Sequence, residues 1–114
     1  MTEPARQVEF SEGFLHAVHL VDEYYQKLNP TRGQQFVKKL FGLLYNVVIP
    51  FPRAQPPFSP LTDYFSGREF RKAVFQRQYL AIYELTPDKI RFVLFRHASL
   101  DPNGGFAELI AELG

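Results

Sequence analysis

The stretch Glu69–His97, EFRKAVFQRQYLAIYELTPDKIRFVLFRH, decides the fold of this chain. It contains three runs rich in β-branched and aromatic residues, and such runs predict β-strands. The runs are Glu69–Phe75, Tyr79–Leu85 and Ile90–His97. Gln76-Arg77-Gln78 predicts the first turn, and Thr86-Pro87-Asp88-Lys89 predicts the second, where proline presets the φ of the second turn position. Three strands joined by short turns predict an antiparallel meander.

The middle run is apolar on both of its faces. Period-two alternation separates Tyr79, Ala81, Tyr83 and Leu85 from Leu80, Ile82 and Glu84. A strand with two largely apolar faces is typical of a central strand that is covered on both sides. In the last run the same alternation predicts one face with Ile90, Phe92 and Leu94, and another with Arg91, Val93, Phe95 and His97.

Two amphipathic helices are predicted before the meander. The first has Ser11 as N-cap and apolar residues spaced by three and four. These are Phe14, Val18, Val21, Tyr25 and Leu28. Thr31–Gln34 matches a capping box and predicts the start of the second helix, which Pro50 ends. The short connection at Asn29-Pro30-Thr31 predicts an antiparallel hairpin packed on the sheet.

The remaining segments complete the predicted order. A short strand, Val8–Phe10, precedes the helices and is expected to pair within the meander. The proline-rich crossing, residues 50–67, has too many prolines for regular helix or a central strand, and its aromatic residues predict that it is ordered. Phe106–Leu113 predicts a terminal helix. The prediction is one α+β domain over residues 1–114, with a helical hairpin on a small, mostly antiparallel sheet.

Composition excludes several kinds of site. The chain has 114 residues, 46% of them hydrophobic, and no cysteine, which excludes disulfides and thiolate chemistry. It has no nucleotide-binding glycine loop, zinc-protease motif or nucleophile elbow. His16, His19 and Asp22 share a helix face, but ordinary exposed polar residues explain them better than a metal site. We expect no metal, no cofactor and no membrane partner, and a cytoplasmic location, because the sequence has neither an apolar span nor a signal peptide.

Charge is concentrated in the middle of the chain. Residues 31–97 carry eleven Lys or Arg against four Asp or Glu, an excess of +7, whereas the whole chain has a net charge of +1. Basic and aromatic side chains on a sheet suit an acidic partner or RNA. A histidine with arginines could also cleave a phosphodiester. The candidate binding residues are Arg71, Lys72, Arg77, Tyr79, Tyr83, Arg91, Arg96 and His97, and the candidate catalytic residues are Arg71, Arg96 and His97.

The element order resembles the toxins of the RelE/ParE superfamily, which belong to bacterial toxin–antitoxin pairs. Three local motifs carry the resemblance: Tyr24-Tyr25, the run 78–83 (QYLAIY) and the run 90–97 (IRFVLFRH). The positions that match ParE-like sequences are Arg71, Tyr79, Tyr83 and His97. The resemblance implies a type II toxin that is neutralised by an acidic antitoxin protein.

Two departures favour the ParE-like branch, which is associated with poisoning of DNA gyrase. RelE-type ribonucleases resemble Tyr-Arg-x-x-Tyr on the third strand, and here Leu80 replaces that catalytic arginine. They also tend to carry a basic cluster after the last strand, where this chain has Ala98-Ser99-Leu100-Asp101. The ribosome or RNA is therefore the less favoured partner. A RelE-like endoribonuclease and a non-toxic binding module of the same fold stay open as alternatives, and the long proline-rich crossing is typical of neither branch.

Overall fold

The computed structural model describes residues 5–98 and 106–113 and confirms the α+β fold. Its strands are β1 (Gln7–Phe10), β2 (Glu69–Phe75), β3 (Tyr79–Leu85) and β4 (Lys89–His97). Its α-helices are α1 (Glu12–Leu28), α2 (Pro30–Leu43), α3 (Ser59–Tyr64) and α4 (Phe106–Leu113). A π-helical turn, Leu44–Val48, extends α2, and a 3-10 turn covers Pro52–Ala54. None of the described helices is long and apolar enough to span a membrane.

The four strands form one mixed sheet in the order β1-β4-β3-β2. The meander is antiparallel as predicted, whereas β1 pairs in parallel with β4, from Gln7 opposite Lys89 to Phe10 opposite Phe92. The predicted pairing of the first strand within the meander is therefore confirmed. Strand β3 lies between β2 and β4, and both of its faces are covered, as its two apolar faces predicted.

The helical hairpin forms as predicted, with one correction at its turn. The Ser11 side chain caps α1 by accepting a hydrogen bond from the Phe14 amide at 3.0 Å. The predicted capping box at Thr31–Gln34 is wrong, because α2 already begins at Pro30 and Asn29 is its N-cap. The Asn29 side chain accepts from the Thr31 amide at 2.9 Å. Proline fits the first helical position because its missing N–H would have no partner there.

A β-bulge in β4 overturns the predicted faces of the last strand. Ile82 pairs with Leu94 but the next residue, Tyr83, pairs with Phe92, so Val93 is an extra residue. One inserted residue reverses the alternation beyond it. Phe95 therefore joins Phe92 on the face toward the helical hairpin, whereas Val93 and Leu94 face the other side.

Two hydrophobic clusters cover the two faces of the sheet. The hairpin-side cluster packs α1 and α2 on the sheet and includes Phe14, Phe36, Leu40, Tyr83, Phe92 and Phe95. The crossing-side cluster lies on the opposite face, under α3 and α4, and includes Phe58, Leu61, Phe70, Ile82, Val93 and Leu109. The sheet is thus the middle layer of three.

The proline-rich crossing wraps around the edge strand β2. The Lys72 amide donates to the Pro56 carbonyl at 3.1 Å, and the Phe58 amide donates to the Phe70 carbonyl at 2.8 Å. This short pairing covers part of an edge that would otherwise expose unpaired backbone groups. The crossing is ordered, as predicted. The expectation that it lacks regular helix is wrong, because Pro60 lies in the first turn of α3, where proline is tolerated.

Candidate functional site

Two of the predicted site residues, Tyr79 and Tyr83, are buried in the hairpin-side cluster. Tyr83 is 0% exposed, and its hydroxyl donates a hydrogen bond to the Pro52 carbonyl. The Tyr79 hydroxyl lies 3.2 Å from that of Tyr25. Burial, together with this hydrogen bond, raises the pKa of Tyr79 above its ordinary value. Both side chains therefore support the fold and present little surface to a partner.

Arg71 fastens the proline-rich crossing to the sheet. Its Nε donates to a carboxylate oxygen of Glu69 at 2.6 Å. Its Nη1 donates to the carbonyl oxygens of Gln55 and Arg53, the latter at 3.3 Å. Only 18% of the Arg71 side chain is exposed. Because its Nε and Nη1 are engaged with these acceptors, Arg71 has a positioning role in the crossing.

Arg91 lies among mixed charges near β1. Its Nε is 3.9 Å from Glu9, which also pairs with Lys89 at 3.2 Å. A pocket of about 320 Å³ lies here, lined by Glu9, Glu84, Thr86, Lys89 and Arg91. Arg68 binds Glu84 through two hydrogen bonds of 2.7 Å, which raises the Arg68 pKa. Carboxylates offset the cations of this region, so it is a poor site for an acidic partner.

Arg77 and His97 lie at the end of the sheet where β2 turns into β3. Arg77 is exposed and has a φ of 60° in the turn. The exposed His97 ring contacts Tyr79 edge-on, with 5.4 Å between ring centres. Both residues are accessible, and both stay candidates for contact with a partner.

The three candidate catalytic residues do not converge. Arg71 pairs with Tyr83, and His97 pairs with Tyr79, so the two are four residues apart along β3 and lie on strands to either side of it. Standard strand spacing then separates their Cα atoms by about 16 Å. Arg96 lies on the opposite face of the sheet, on the crossing side. Arg71 is also engaged with Glu69 and with carbonyls of the crossing, so this geometry does not bring Arg71 and His97 to one phosphate.

Lys72 and Arg96 are brought together in a pocket of about 310 Å³ between the crossing and the sheet. Its other lining residues are Pro57, Phe58, Ser59, Pro60, Leu80 and Ala98. We call this the crossing pocket. It combines two cations with apolar walls, and none of its lining residues is acidic. This combination suits a carboxylate on an apolar peptide segment.

The crossing residues of this pocket were missing from the predicted site. Phe58 is 6% exposed and anchors the crossing-side cluster, and Ser59 and Pro60 begin α3 beside it. The signal in the sequence was the unusual length of an aromatic crossing, since long ordered connections are often functional. Which of its residues would meet Lys72 depends on how the crossing wraps around β2, and that is not visible in local sequence.

Leu80 lines the crossing pocket and packs against the crossing-side cluster. Within residues 5–98 and 106–113, no group of three His, Asp or Glu side chains is arranged to hold a metal ion. His19 instead lies 2.6 Å from Glu23 on the next turn of α1.

No protein-family model matches the chain, and no curated protein matches it significantly.

Proposed function

We propose that this protein is the toxin of a type II toxin–antitoxin pair, ParE-like in action. It inhibits growth by binding an essential target of the DNA gyrase type, and a cognate acidic antitoxin neutralises it. The order of strand, helical hairpin and meander supports the proposal, together with the sequence motifs that resemble this superfamily.

One observation carries the choice of binding over catalysis. Arg96 lies on the opposite face of the sheet from Arg71 and His97, and Arg71 and His97 are four residues apart along β3. A ribonuclease needs its proton donor and its charge-stabilising arginine on one phosphate. The leucine at position 80 supports the same choice, because the resembling ribonucleases have an arginine there and a leucine neither donates a proton nor stabilises charge.

The crossing pocket supplies the binding surface in this proposal. Lys72 and Arg96 would pair with carboxylates of the partner, and Leu80, Phe58 and Pro60 would contact its apolar side chains. Hot spots of protein interfaces combine such apolar contact with arginine. The acidic antitoxin is the natural occupant, because a cationic pocket attracts it and accelerates the encounter.

Induced expression of the chain without its partner tests the proposal. We expect growth arrest with induction of the DNA-damage response, while bulk mRNA stays intact. Rapid loss of mRNA with cuts at ribosomal A-site codons would establish the ribonuclease alternative. Normal growth with soluble, folded protein would favour the non-toxic binding module.

Matched variants locate the working surface in the same assay. Lys72→Glu should relieve the arrest, because it reverses one charge of the crossing pocket. Lys38→Glu makes the same charge change on the exposed face of α2 and should leave the arrest intact. His97→Ala should have a mild effect, whereas under the ribonuclease alternative it removes a proton-transfer group worth roughly 10²–10⁴-fold in rate.

A further inference from the structure

A second cationic pocket lies on the hairpin side of the sheet, between α1, α2 and the β2–β3 turn. Its volume is about 120 Å³, and it is lined by Tyr25, Arg32, Gln35, Phe36, Lys39 and Gln76. We call it the hairpin pocket. It is separate from the crossing pocket, which lies on the opposite face of the sheet.

Helix α2 presents the cations of the hairpin pocket. Arg32, Gln35 and Lys39 are spaced by three and four, so they lie along one face of the helix. The helix contains Arg32, Lys38 and Lys39 and no acidic residue. Within residues 5–98 and 106–113, no carboxylate forms an ion pair with Arg32 or Lys39. Asp22 on α1 accepts a hydrogen bond from Gln26 instead.

Packed aromatic rings form the floor of the hairpin pocket. Phe36 is 4% exposed and packs edge-on against Phe75 and Tyr79. Tyr25 packs against Phe36, and the Arg32 guanidinium lies 5.6 Å from the centre of the Tyr25 ring. This cation–π contact holds the guanidinium at the pocket. A guanidinium positioned in this way loses less conformational entropy when an anion binds.

The turn that closes the pocket is strained. Gln76 and Arg77 have φ values of 53° and 60°. Residues other than glycine and asparagine rarely adopt this left-handed backbone conformation. The strained conformation brings Gln76 into the lining of the pocket, where its amide N–H groups are available as donors.

We propose that the hairpin pocket binds a phosphate monoester group. Two cations match the charge of about −1.5 to −2 that a monoester carries at pH 7, whereas a diester carries one charge. The pocket has a volume of about 120 Å³ and opens to solvent, so it takes a phosphoryl group while the rest of a monoester extends outward. Arg32 donates through its planar fork, Lys39 supplies the second charge, and Gln35 and Gln76 supply neutral donors.

This proposal does not depend on the toxin proposal. Its residues lie on α1, α2 and the β2–β3 turn, and none of them lines the crossing pocket. A toxic chain without phosphate affinity, or a phosphate-binding chain without toxicity, would separate the two.

Titration with inorganic phosphate and with dimethyl phosphate, followed by amide chemical shifts, tests the site at about pH 7.5, where phosphate is mostly doubly charged. We expect saturable shifts at Arg32, Lys39 and Gln76, and affinity for phosphate at least about tenfold above that for dimethyl phosphate. Adenosine monophosphate is the third probe. If adenosine monophosphate binds as tightly as phosphate, the pocket recognises the phosphoryl group alone. If it binds more tightly, the phosphoryl group that the pocket recognises belongs to a nucleotide.

The variants Arg32→Gln and Lys39→Gln should each weaken phosphate binding by about tenfold or more, because each removes a charged donor. Lys38→Gln is the matched control, since it makes the same change on the same helix outside the pocket, and its affinity should stay within about twofold of the unmodified chain. Equal losses in all three variants would show attraction to the general charge of α2 and overturn the proposal. Dimethyl phosphate binding as tightly as phosphate, or shifts that do not saturate, would also overturn it.

Discussion

The Tyr83 hydroxyl donates a hydrogen bond of 2.5 Å to the Pro52 carbonyl, which joins the middle of β3 to the start of the proline-rich crossing. Both residues are buried. Together with Arg71, which donates to the carbonyls of Arg53 and Gln55, this bond fixes where the crossing leaves the hairpin side and turns around β2. The position of the crossing in turn shapes the crossing pocket.

Tyr83→Phe should lower the free energy of unfolding by about 1–3 kcal/mol, because the buried Pro52 carbonyl loses its donor. Urea unfolding measures the change. Tyr45→Phe is the control, since Tyr45 is 50% exposed and its change should stay within about 0.5 kcal/mol. Equal effects of the two substitutions would contradict a special role for the Tyr83 hydrogen bond.

Arg77→Gly should raise the free energy of unfolding by roughly 1 kcal/mol. Glycine adopts the left-handed conformation of this turn position without the Cβ clash. Gln78→Gly, one position later, should instead destabilise the chain by roughly 0.5–1 kcal/mol, because it only adds freedom to the unfolded state. Thermal unfolding of the two variants measures both changes. Stabilisation by both substitutions would contradict relief of backbone strain at Arg77 as the cause.

Arg68→Met should loosen α4. The Arg68 guanidinium binds Glu84 at two points and donates to the Leu113 carbonyl at 2.9 Å, so it connects β3 to the last turn of that helix. The pair is partly buried, and its loss should cost about 1–2 kcal/mol, between the values for surface and buried pairs. Hydrogen exchange should accelerate in α4, and Lys89→Met, which removes an exposed ion pair, should leave α4 protected.

Stability should decline at alkaline pH partly through Tyr79. Burial raises its pKa in the folded state, so the unfolded chain, where tyrosine ionises near about pH 10, releases its proton first. The contribution is complete below that pH and is lost as pH rises above it. The free energy of unfolding, measured with denaturant at increasing pH, should therefore fall less steeply for Tyr79→Phe than for the unmodified chain. Parallel declines would contradict the assignment to Tyr79.

The local elements of this fold were predictable from sequence. The bounds of β2, β3 and α4 match their predictions, because each depends on a hydrophobic pattern within its own segment. The cap of α2 was misassigned to Thr31, since Asn29 and Thr31 both carry capping side chains and only the actual first turn decides between them.

The crossing pocket was less predictable because it depends on the bulge in β4. Simple alternation from Phe92 would put Arg96 on the hairpin side, away from Lys72. The extra residue Val93 moves Arg96 to the crossing side, where it meets Lys72 and Leu80. A bulge is set by the register between strands, and one strand read alone does not reveal it.

The most direct test of the central claim, that this chain is a gyrase-directed toxin acting through the crossing pocket, combines purified protein, DNA gyrase and supercoiled plasmid. We expect gyrase-cleaved plasmid to accumulate with the unmodified chain and with Lys38→Glu, and this cleavage to be lost with Lys72→Glu. Plasmid that stays uncleaved in the presence of folded, unmodified chain would contradict it.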